Sequence, residues 1–426
     1  MTATPPREPV PPSARVTAPL RLPDFRALLL GRTFDEFANA LAPVALAFAV
    51  LDLTGSPTQL GLVVGARSLA SVVFLLLAGV LADRFPRAVI LQGTGAAAAL
   101  TQAAIAASVL GGFAGVPLLV VLSLLNGAVA AISLPAAAAL TPQTVPPVLL
   151  TQANALVRVA ANSGRISGAA IGGILVAAAG PGWTLGANAA LFALSALAYR
   201  GVHAPAAGDG THTAPLRELA DGWREFTARR WVWLVVLQFM VVNAVVSGCL
   251  VVLGPTIADE GLGRGGWGFV LAAQTAGAFA GGFLAARWRP RHALRVGVAV
   301  TLVEAVPLVF LAELPEFVPL LAVMFLAGVA LEQFTVAWDV SLQENIPPDR
   351  LARVYSYDML GSFVALPIGE VAAGPLAEQF GRSATLLGGA TLLTIVTLLT
   401  LTSRQVRTLR RRPAGDPSAG QLPEGT

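Results

Sequence analysis

Long apolar stretches separated by short polar connections dominate this chain. Each stretch approaches the roughly 20 apolar residues that an α-helix needs to cross a bilayer. The pattern predicts twelve membrane-spanning helices, at about 27–51, 58–81, 88–109, 117–140, 152–178, 183–199, 231–257, 265–287, 293–312, 317–341, 353–377 and 383–402. The predicted fold class is therefore an all-α membrane protein with twelve transmembrane helices.

One connection, at 200–230, is longer and more charged than the others, and it separates six predicted helices from six more. The tails on either side of the helices are rich in proline, glycine and arginine, which is typical of disorder. The predicted organisation is a disordered tail at 1–23, a six-helix half at 24–199, a linker at 200–230, a second six-helix half at 231–402 and a disordered tail at 403–426.

The arginines predict the orientation of the chain. All 28 basic residues are arginine, and Arg264 and Arg382 are the two that fall in connections on the predicted outer side. Positive charge concentrates in the cytoplasmic connections of membrane proteins. We therefore predict a multi-pass protein of the cell membrane, with both tails and the linker in the cytoplasm.

Composition excludes several classes of function. The chain is 55% hydrophobic and 12% charged, whereas soluble domains carry about 25% charged residues, so its basic pI does not indicate a nucleic-acid partner. Cys249 is the single cysteine, and the three histidines fall in polar connections. Because no cysteine–histidine cluster, nucleophile–histidine arrangement or lysine-containing phosphate loop occurs, we expect no metal, no cofactor and no enzymatic activity.

The two halves resemble each other in sequence. Residues 61–66 parallel residues 268–273, and Gly180 parallels Gly381, at a nearly constant offset. Repeated halves are typical of secondary transporters, in which the substrate binds near the midplane between them. The first half also carries Asp83, to which Ala286 corresponds in the second.

A compact charged turn joins the second and third predicted helices, with the pattern Gly79-x-x-x-Asp83-Arg84-x-x-Arg87. An ordinary cytoplasmic turn would also carry arginine. The pattern resembles the signature of the major facilitator superfamily, and the residues at 51–57 (LDLTGSP) are similar to its drug:proton antiporter branch, which includes macrolide-efflux and enterobactin-exporter relatives. The resemblance covers residues 24–402 and implies two pseudo-repeated halves.

This resemblance implies a secondary active transporter that exports a small, moderately hydrophobic organic molecule, such as a drug, an antibiotic or a siderophore-like compound, by proton antiport with alternating access. The expected partners are the bilayer, the substrate and protons, and the expected state is a monomer. The resemblance assigns Asp83, Arg84 and Arg87 to conformational switching. Two alternatives stay open: an importer or a lysolipid or lipid flippase of the same fold, and a non-transporting membrane sensor or scaffold.

The fifth predicted helix carries a polar stripe. Asn154, Arg158, Asn162 and Arg165 follow at steps of four, four and three residues, which places them on one face. Because charged side chains avoid lipid, this face is predicted to line a cavity or the interface between halves, although a purely structural stripe is an alternative. We hypothesise that Arg158 meets Asp358 across the halves and closes the inner gate; the alternative is that each pairs within its own half.

Buried carboxylates are candidates for proton coupling, because an ionisable group at membrane depth is costly. In the first helix, Arg32 is spaced to pair with Asp35 or Glu36, which leaves the other acid to titrate; a fully neutralised cluster is the alternative. The family plan places the tenth helix beside the cavity, so Glu332 ranks first and Glu36 second, ahead of Asp35 and Glu370.

The family plan also predicts which polar residues line the substrate cavity. For the asparagines and glutamines among them, hydrogen bonding between helices is the alternative role. The candidates from the inner helices are Asn39, Asn126, Gln238, Asn243, Gln333 and Trp338, joined by Gln274 of the eighth helix and by Asn162 and Arg165 of the polar stripe. Glycines at 164, 168, 172 and 173 resemble an exporter motif of the fifth helix and could equally serve plain helix packing.

Overall fold

The computed structural model describes residues 17–203, 227–288 and 290–411, without the side chains of residues 76–84, 348–349 and 352–353. Within these residues the chain is helical and contains no strand. Ten of the described helices are long and apolar enough to cross a membrane, when Arg230–Arg287 is counted as one helix.

Twelve long helical segments form the body of the protein, as the sequence predicts. Segment α7 alternates between α-helix and π-helix, and α9 contains a 3-10 turn at Thr301–Glu304. The segments are α1 (Pro23–Thr54), α2 (Pro57–Arg84), α3 (Arg87–Leu110), α4 (Val116–Thr144), α5 (Leu150–Ala179), α6 (Pro181–Tyr199), α7 (230–262), α8 (Gly263–Arg287), α9 (Ala293–Glu313), α10 (Phe317–Asn345), α11 (Pro348–Phe380) and α12 (Arg382–Thr402).

The predicted disordered tails differ from the structure in two short stretches. Ala18–Arg21 forms a 3-10 helix before α1, and Arg404–Thr408 forms a short α-helix after α12. Residue Val406 of the second stretch is buried, so packing against the bundle gives it order. The rest of both tails, apart from residues next to these helices, and most of the linker lie outside the described residues.

Matching corners confirm the repeat between the halves. Gly180 joins α5 to α6 with φ 82°, and Gly381 joins α11 to α12 with φ 88°. Both values lie in the region that glycine adopts at little cost and that other residues avoid. The two corners therefore have the same backbone conformation at equivalent places in the two halves.

The helices pack in the same order within each half. In the first half, α1 packs on α5, α2 on α4 and α3 on α6; in the second, α7 packs on α11, α8 on α10 and α9 on α12. We call the end of the bundle that contains Pro23 and Thr402 the terminal face, and the opposite end, which contains Thr54 and Phe380, the distal face. The halves meet through α2 with α11 and through α5 with α8.

Close contacts between the halves lie on the distal side. A Cβ atom on Gly61 of α2 would overlap the Glu370 carbonyl oxygen of α11, and one on Gly268 of α8 would contact Ala169 and Gly173 of α5. Small residues allow helix backbones to approach closely in membranes, where no hydrophobic drive exists between helices. The described halves are therefore joined distally and separate toward the terminal face.

The glycine seam of α5 serves helix packing within the first half. A Cβ atom on Gly164 would contact the Thr33 carbonyl oxygen of α1, and one on Gly168 would overlap the Phe37 carbonyl oxygen. Gly173 is the exception, because it contacts Gly268 of α8. Most of the seam thus holds α5 against α1, which agrees with the packing interpretation.

A larger side chain at position 268 should oppose distal closure. We expect Gly268→Leu to lengthen the distance between spin labels at Trp183 and Val318, which are 66% and 72% exposed at the distal ends of α6 and α10. Double electron–electron resonance measures this distance. Gly186→Leu is the control, because a Cβ atom at Gly186 has no heavy atom within 4 Å; an unchanged distance in Gly268→Leu would contradict the closed-seam interpretation.

Candidate substrate cavity

A cavity of about 510 Å³ lies between the halves, on the terminal side of the distal contacts. Its walls come from α1, α2, α4, α5, α8 and α11, and its volume falls in the range of small-molecule sites. The polar lining residues are Arg32, Asp35, Glu36, Asn39, Arg67, Ser68, Ser71, Ser133, Arg165, Gln274 and Thr275. Of the predicted residues, Asn39, Arg165 and Gln274 line this cavity, and their contact with a substrate stays a prediction.

The two halves supply different chemistry to this cavity. All five charged lining residues belong to the first half. The second half contributes Leu271, Phe363 and Leu366, with Gln274 and Thr275 as its polar groups. A molecule that fills the cavity therefore meets a charged wall on one side and a mainly apolar wall on the other.

Glu36 is the centre of the charged wall, and each of its carboxylate oxygens binds a different arginine. Arg32 Nη2 lies 2.8 Å from Oε1, one helical turn away, and Arg165 Nε of α5 donates to Oε2 at 2.7 Å. The predicted pairing of Arg32 with an acid of α1 is thus confirmed for Glu36. Two guanidinium groups share this one carboxylate, which leaves the cluster with net positive charge.

Asp35 lies beside this cluster and lines the cavity without an ion pair of its own. Its main-chain carbonyl accepts a hydrogen bond from Asn39 Nδ2 at 2.9 Å. Among the described residues, no cation lies within 4 Å of its carboxylate, although Arg32 and Arg165 are near enough to act on its charge. Asp35 is therefore the acid of α1 that the helical spacing leaves available in the cavity.

Arg67 of α2 lines the cavity, and its guanidinium group is hydrogen-bonded to two asparagine side chains. Its Nε donates to Asn126 Oδ1 at 3.0 Å, and its Nη2 donates to Asn39 Oδ1 at 3.5 Å. Asn126 in turn donates to Thr101 Oγ1 at 3.1 Å. Asn126 is thus buried behind Arg67 and, instead of lining the main cavity as predicted, positions this guanidinium group.

Glu370 lies at the junction of the halves. It is buried on α11, and its Oε1 accepts a hydrogen bond from Ser247 Oγ of α7 at 2.7 Å. Arg67 faces it from the other half and acts on its charge. Because Gly61 packs against the main chain of Glu370, this carboxylate lies where α2 meets α11.

An ion pair also joins the two halves at the distal face. Arg264 of α8 donates from Nη1 to Asp52 Oδ2 of α1 at 2.9 Å, and from Nε to Asp259 at 2.7 Å. Its guanidinium group lies 5.1 Å from the centre of the Phe48 ring. Asp52 and Phe48 belong to the first half, so Arg264 connects the halves above the cavity.

Several residues that were predicted to line the cavity instead bond neighbouring helices. The family plan identifies inner helices, but it does not determine which face of α7 or α10 turns toward the partner half. The bonds run from Gln238 Nε2 to Thr301 Oγ1 at 2.9 Å, from Asn243 Nδ2 to the Ser362 carbonyl at 3.1 Å, and from Gln333 Nε2 to the Gly281 carbonyl at 2.8 Å.

Asp358 has its partner within its own half. Its Oδ2 accepts a hydrogen bond from Trp338 Nε1 at 2.9 Å, so Trp338 also lies away from the cavity lining. Arg158 is exposed on α5, and the ion pairs of the described residues do not join it to Asp358. Their approach in a state closed at the terminal face stays a prediction.

Glu332 occupies a different place from the one predicted. It lies on α10 next to Gly281 and Gly282 of α8, outside the main cavity lining. The positive charge of Arg158 interacts electrostatically with the Glu332 carboxylate. Asn162 is half-buried and likewise outside the lining.

The charged turn between α2 and α3 is described in part. The side chains of Asp83 and Arg84 lie outside the described residues, so their predicted role is open. Arg87 Nη1 donates to the Ala139 carbonyl of α4 at 2.9 Å, which ties the start of α3 to the end of α4.

Comparisons with known proteins place this geometry in a family. Residues 28–370 match the Major Facilitator Superfamily. The chain is 26% identical to the multidrug efflux pump Tap of Mycolicibacterium fortuitum over 381 residues, which cover 87% of this chain and 91% of the pump. It is 27% identical to the enterobactin exporter EntS of Escherichia coli over 281 residues, 66% of this chain and 67% of the exporter.

Solved structures share the fold. A bacterial homolog of the human lysosomal transporter Spinster, in an inward-facing and unoccupied conformation, matches with a TM-score of 0.71 at 16% identity, covering 94% of this chain and 100% of that one. The nucleoside transporter NupG matches with a TM-score of 0.72 at 13% identity, covering 89% and 98%.

Removing the Asp52–Arg264 pair should loosen the distal face. Partly exposed ion pairs contribute up to about 1 kcal/mol, so Asp52→Asn should raise the distally open population up to about fivefold. The spin-label distance between Trp183 and Val318 measures that population. Glu260→Gln is the control, because Glu260 pairs with Arg382 inside the second half. Equal shifts in both variants would mean that Asp52 does not join the halves.

Proposed function

Because the chain belongs to the Major Facilitator Superfamily, a family of membrane transporters, we propose that it exports a small amphipathic organic molecule by proton antiport. Export is supported by the efflux relatives Tap and EntS. The substrate binds from the terminal face, moves with the rocking of the two halves and leaves at the distal face. We place the terminal face in the cytoplasm, and the distribution of arginines supports this orientation.

The two-sided cavity supports an amphipathic substrate. A polar group of the substrate would contact the charged wall around Asp35 and Arg165, while its apolar body packs on Leu271, Phe363 and Leu366. Small-molecule sites commonly combine apolar walls with a few placed polar groups.

The observation that carries proton antiport is the contrast between two adjacent acids. Both carboxylate oxygens of Glu36 are bound by arginine, whereas Asp35 lines the cavity without such a pair among the described residues. An acid that lines the cavity and is not held by an arginine there can bind a proton in one step and a substrate donor group in another. Competition between proton and substrate for Asp35 couples their opposite movements.

This proposal changes the order of the proton-site candidates. Glu332 ranked first from the family plan, but its position outside the main cavity does not support direct competition with substrate. Glu36 ranked second, but protonating it would break two ion pairs at once. Asp35 therefore becomes the proposed proton site, and Glu36 holds Arg32 and Arg165 in place around it.

Glu370 has a separate role in this cycle. To open the distal face, α2 must part from α11, and the facing charges of Arg67 and Glu370 oppose that separation. Arg67 also reaches the cavity, so a change in the cavity can alter its attraction to Glu370. We assign this pair to the coupling between cavity occupancy and distal opening.

Asp35→Asn should abolish substrate-dependent proton movement, because asparagine cannot take up and release a proton. The measurement uses inverted membrane vesicles with an acidic lumen, a fluorescent pH probe, and a panel of lipophilic cations, macrolides and siderophores. We expect wild type to release luminal protons with at least one compound, and Asp35→Asn to match vesicles that lack the protein.

Glu332→Gln is the matched control and should keep proton release. Wild-type release in Asp35→Asn with loss in Glu332→Gln would return the proton site to Glu332. A folded wild-type protein that releases no protons with any compound would contradict proton antiport and favour a flippase or a non-transporting sensor.

Glu370→Gln should favour the distally open state, because Arg67 loses the opposite charge across the halves. We expect a longer component in the spin-label distance between Trp183 and Val318. Glu304→Gln is the control, since Glu304 is equally buried but lies on α9 inside the second half. An unchanged distance in Glu370→Gln would remove Glu370 from the gate.

A further inference from the structure

A shallow cleft opens at the terminal face of the second half, away from the substrate cavity. It lies between α8, α9 and α10, and the chain that follows α12 closes one side. Its walls include Trp288, Val296, Val336 and Val340, and Arg411 lies at its edge. We call this feature the basic cleft.

Positive charge surrounds the basic cleft. Arg287 and Arg291 are exposed beside it, and within the described part of the chain neither has an acid within 4 Å. Glu344 of α10 pairs with Arg411, and its Oε1 lies 3.3 Å from Arg411 Nε. Among these described residues, three arginines and one glutamate give the surroundings of the cleft a net positive charge.

The chain after α12 is held in place over the cleft. The main-chain N–H of Arg411 donates to the Arg291 carbonyl at 3.0 Å, and its side chain binds Glu344 of α10. Val406 of the preceding short helix is fully buried. Arg411 is therefore positioned by the connection between α8 and α9 and by α10 before any ligand binds.

From these contacts we infer that the basic cleft binds an anionic phospholipid. The lipid phosphate contacts Arg291 and Arg411, and one acyl chain lies along Val296, Val336 and Val340. Basic pockets between membrane helices at the cytoplasmic side are suited to anionic headgroups. Trp288, which is 48% exposed at the end of α8, has the amphipathic ring that is enriched at the membrane–water interface.

The apolar walls distinguish a lipid from a soluble phosphate. A free anion would use the arginines alone, whereas a lipid also needs the valines and the tryptophan that extend from the headgroup level along α9 and α10. The inference depends on the membrane location of the protein and not on the transported substrate or on proton coupling, so it stands or fails independently of the proposed function.

Native mass spectrometry of the purified full-length protein in detergent tests this site. The probes are phosphatidylglycerol, phosphatidylcholine of the same acyl chains, and inorganic phosphate. We expect wild type to retain phosphatidylglycerol in preference to phosphatidylcholine and not to retain inorganic phosphate. Arg291→Gln and Arg411→Gln should each weaken phosphatidylglycerol binding about fivefold, as expected for one basic residue at a membrane surface.

Three further variants distinguish lipid binding at the basic cleft from nonspecific attraction to positive charge elsewhere on the protein. Arg26→Gln removes an exposed arginine at the terminal face of α1 and should leave binding unchanged. Arg411→Lys keeps the charge and should retain most of the binding, while Val336→Trp fills the cleft and should reduce it without altering charge. Circular dichroism and size-exclusion chromatography check that each variant is folded.

Several results would overturn the lipid site. Equal retention of phosphatidylcholine and phosphatidylglycerol would show that the arginines do not select the headgroup. Equal losses of phosphatidylglycerol binding in Arg26→Gln and Arg411→Gln would show that the lipid responds to overall positive charge and not to the cleft. Undiminished binding in Val336→Trp, or tight binding of inorganic phosphate, would mean that the cleft does not hold an acyl chain.

Discussion

A charged side chain within a bilayer needs an opposite charge, a hydrogen-bond donor or water, and this constraint decides where the ionisable groups of the inner helices lie. Glu36 meets it with two arginines, and Glu370 meets it in part, through one hydrogen bond from Ser247 and the positive charge of Arg67 across the halves. Asp35 meets it by lining the cavity. The candidate cavity and the charge cluster therefore answer the same requirement, because the acid without an ion pair among the described residues is the one that lines the cavity.

The second constraint on the structure is that its helices must pack closely, backbone against backbone. Helices in lipid gain little from burying apolar side chains, so contacts through glycine and small polar residues hold them together. Within each half these contacts run along whole helices, as between Gly168 and Phe37. Between the described halves they are confined to the distal side, where Gly61 meets Glu370 and Gly268 meets Gly173. Separation at this short seam would leave the close glycine contacts within each half unchanged.

The sequence predicted much of this fold because its strongest signals are local. Apolar length located the twelve segments, and the repeat located the equivalent corners at Gly180 and Gly381. The choice between Asp35 and Glu36 was not local, because Arg165 of another helix binds Glu36. The cavity predictions for Gln238, Asn243 and Gln333 failed for a related reason. A polar residue on an inner helix can face the cavity or a neighbouring helix, and only the rotation of the helix decides.

The repeated halves keep the same architecture but divide the chemistry between them. The first half supplies every charged residue of the cavity lining, and the second supplies the apolar wall of Leu271, Phe363 and Leu366. In the proposed cycle, the contacts of a bound substrate with both walls would therefore change together when the halves move. Arg67 lies where these effects meet, since it lines the cavity in the first half and faces Glu370 in the second. In the proposed cycle, this one guanidinium group links the contents of the cavity to the closure of the distal face.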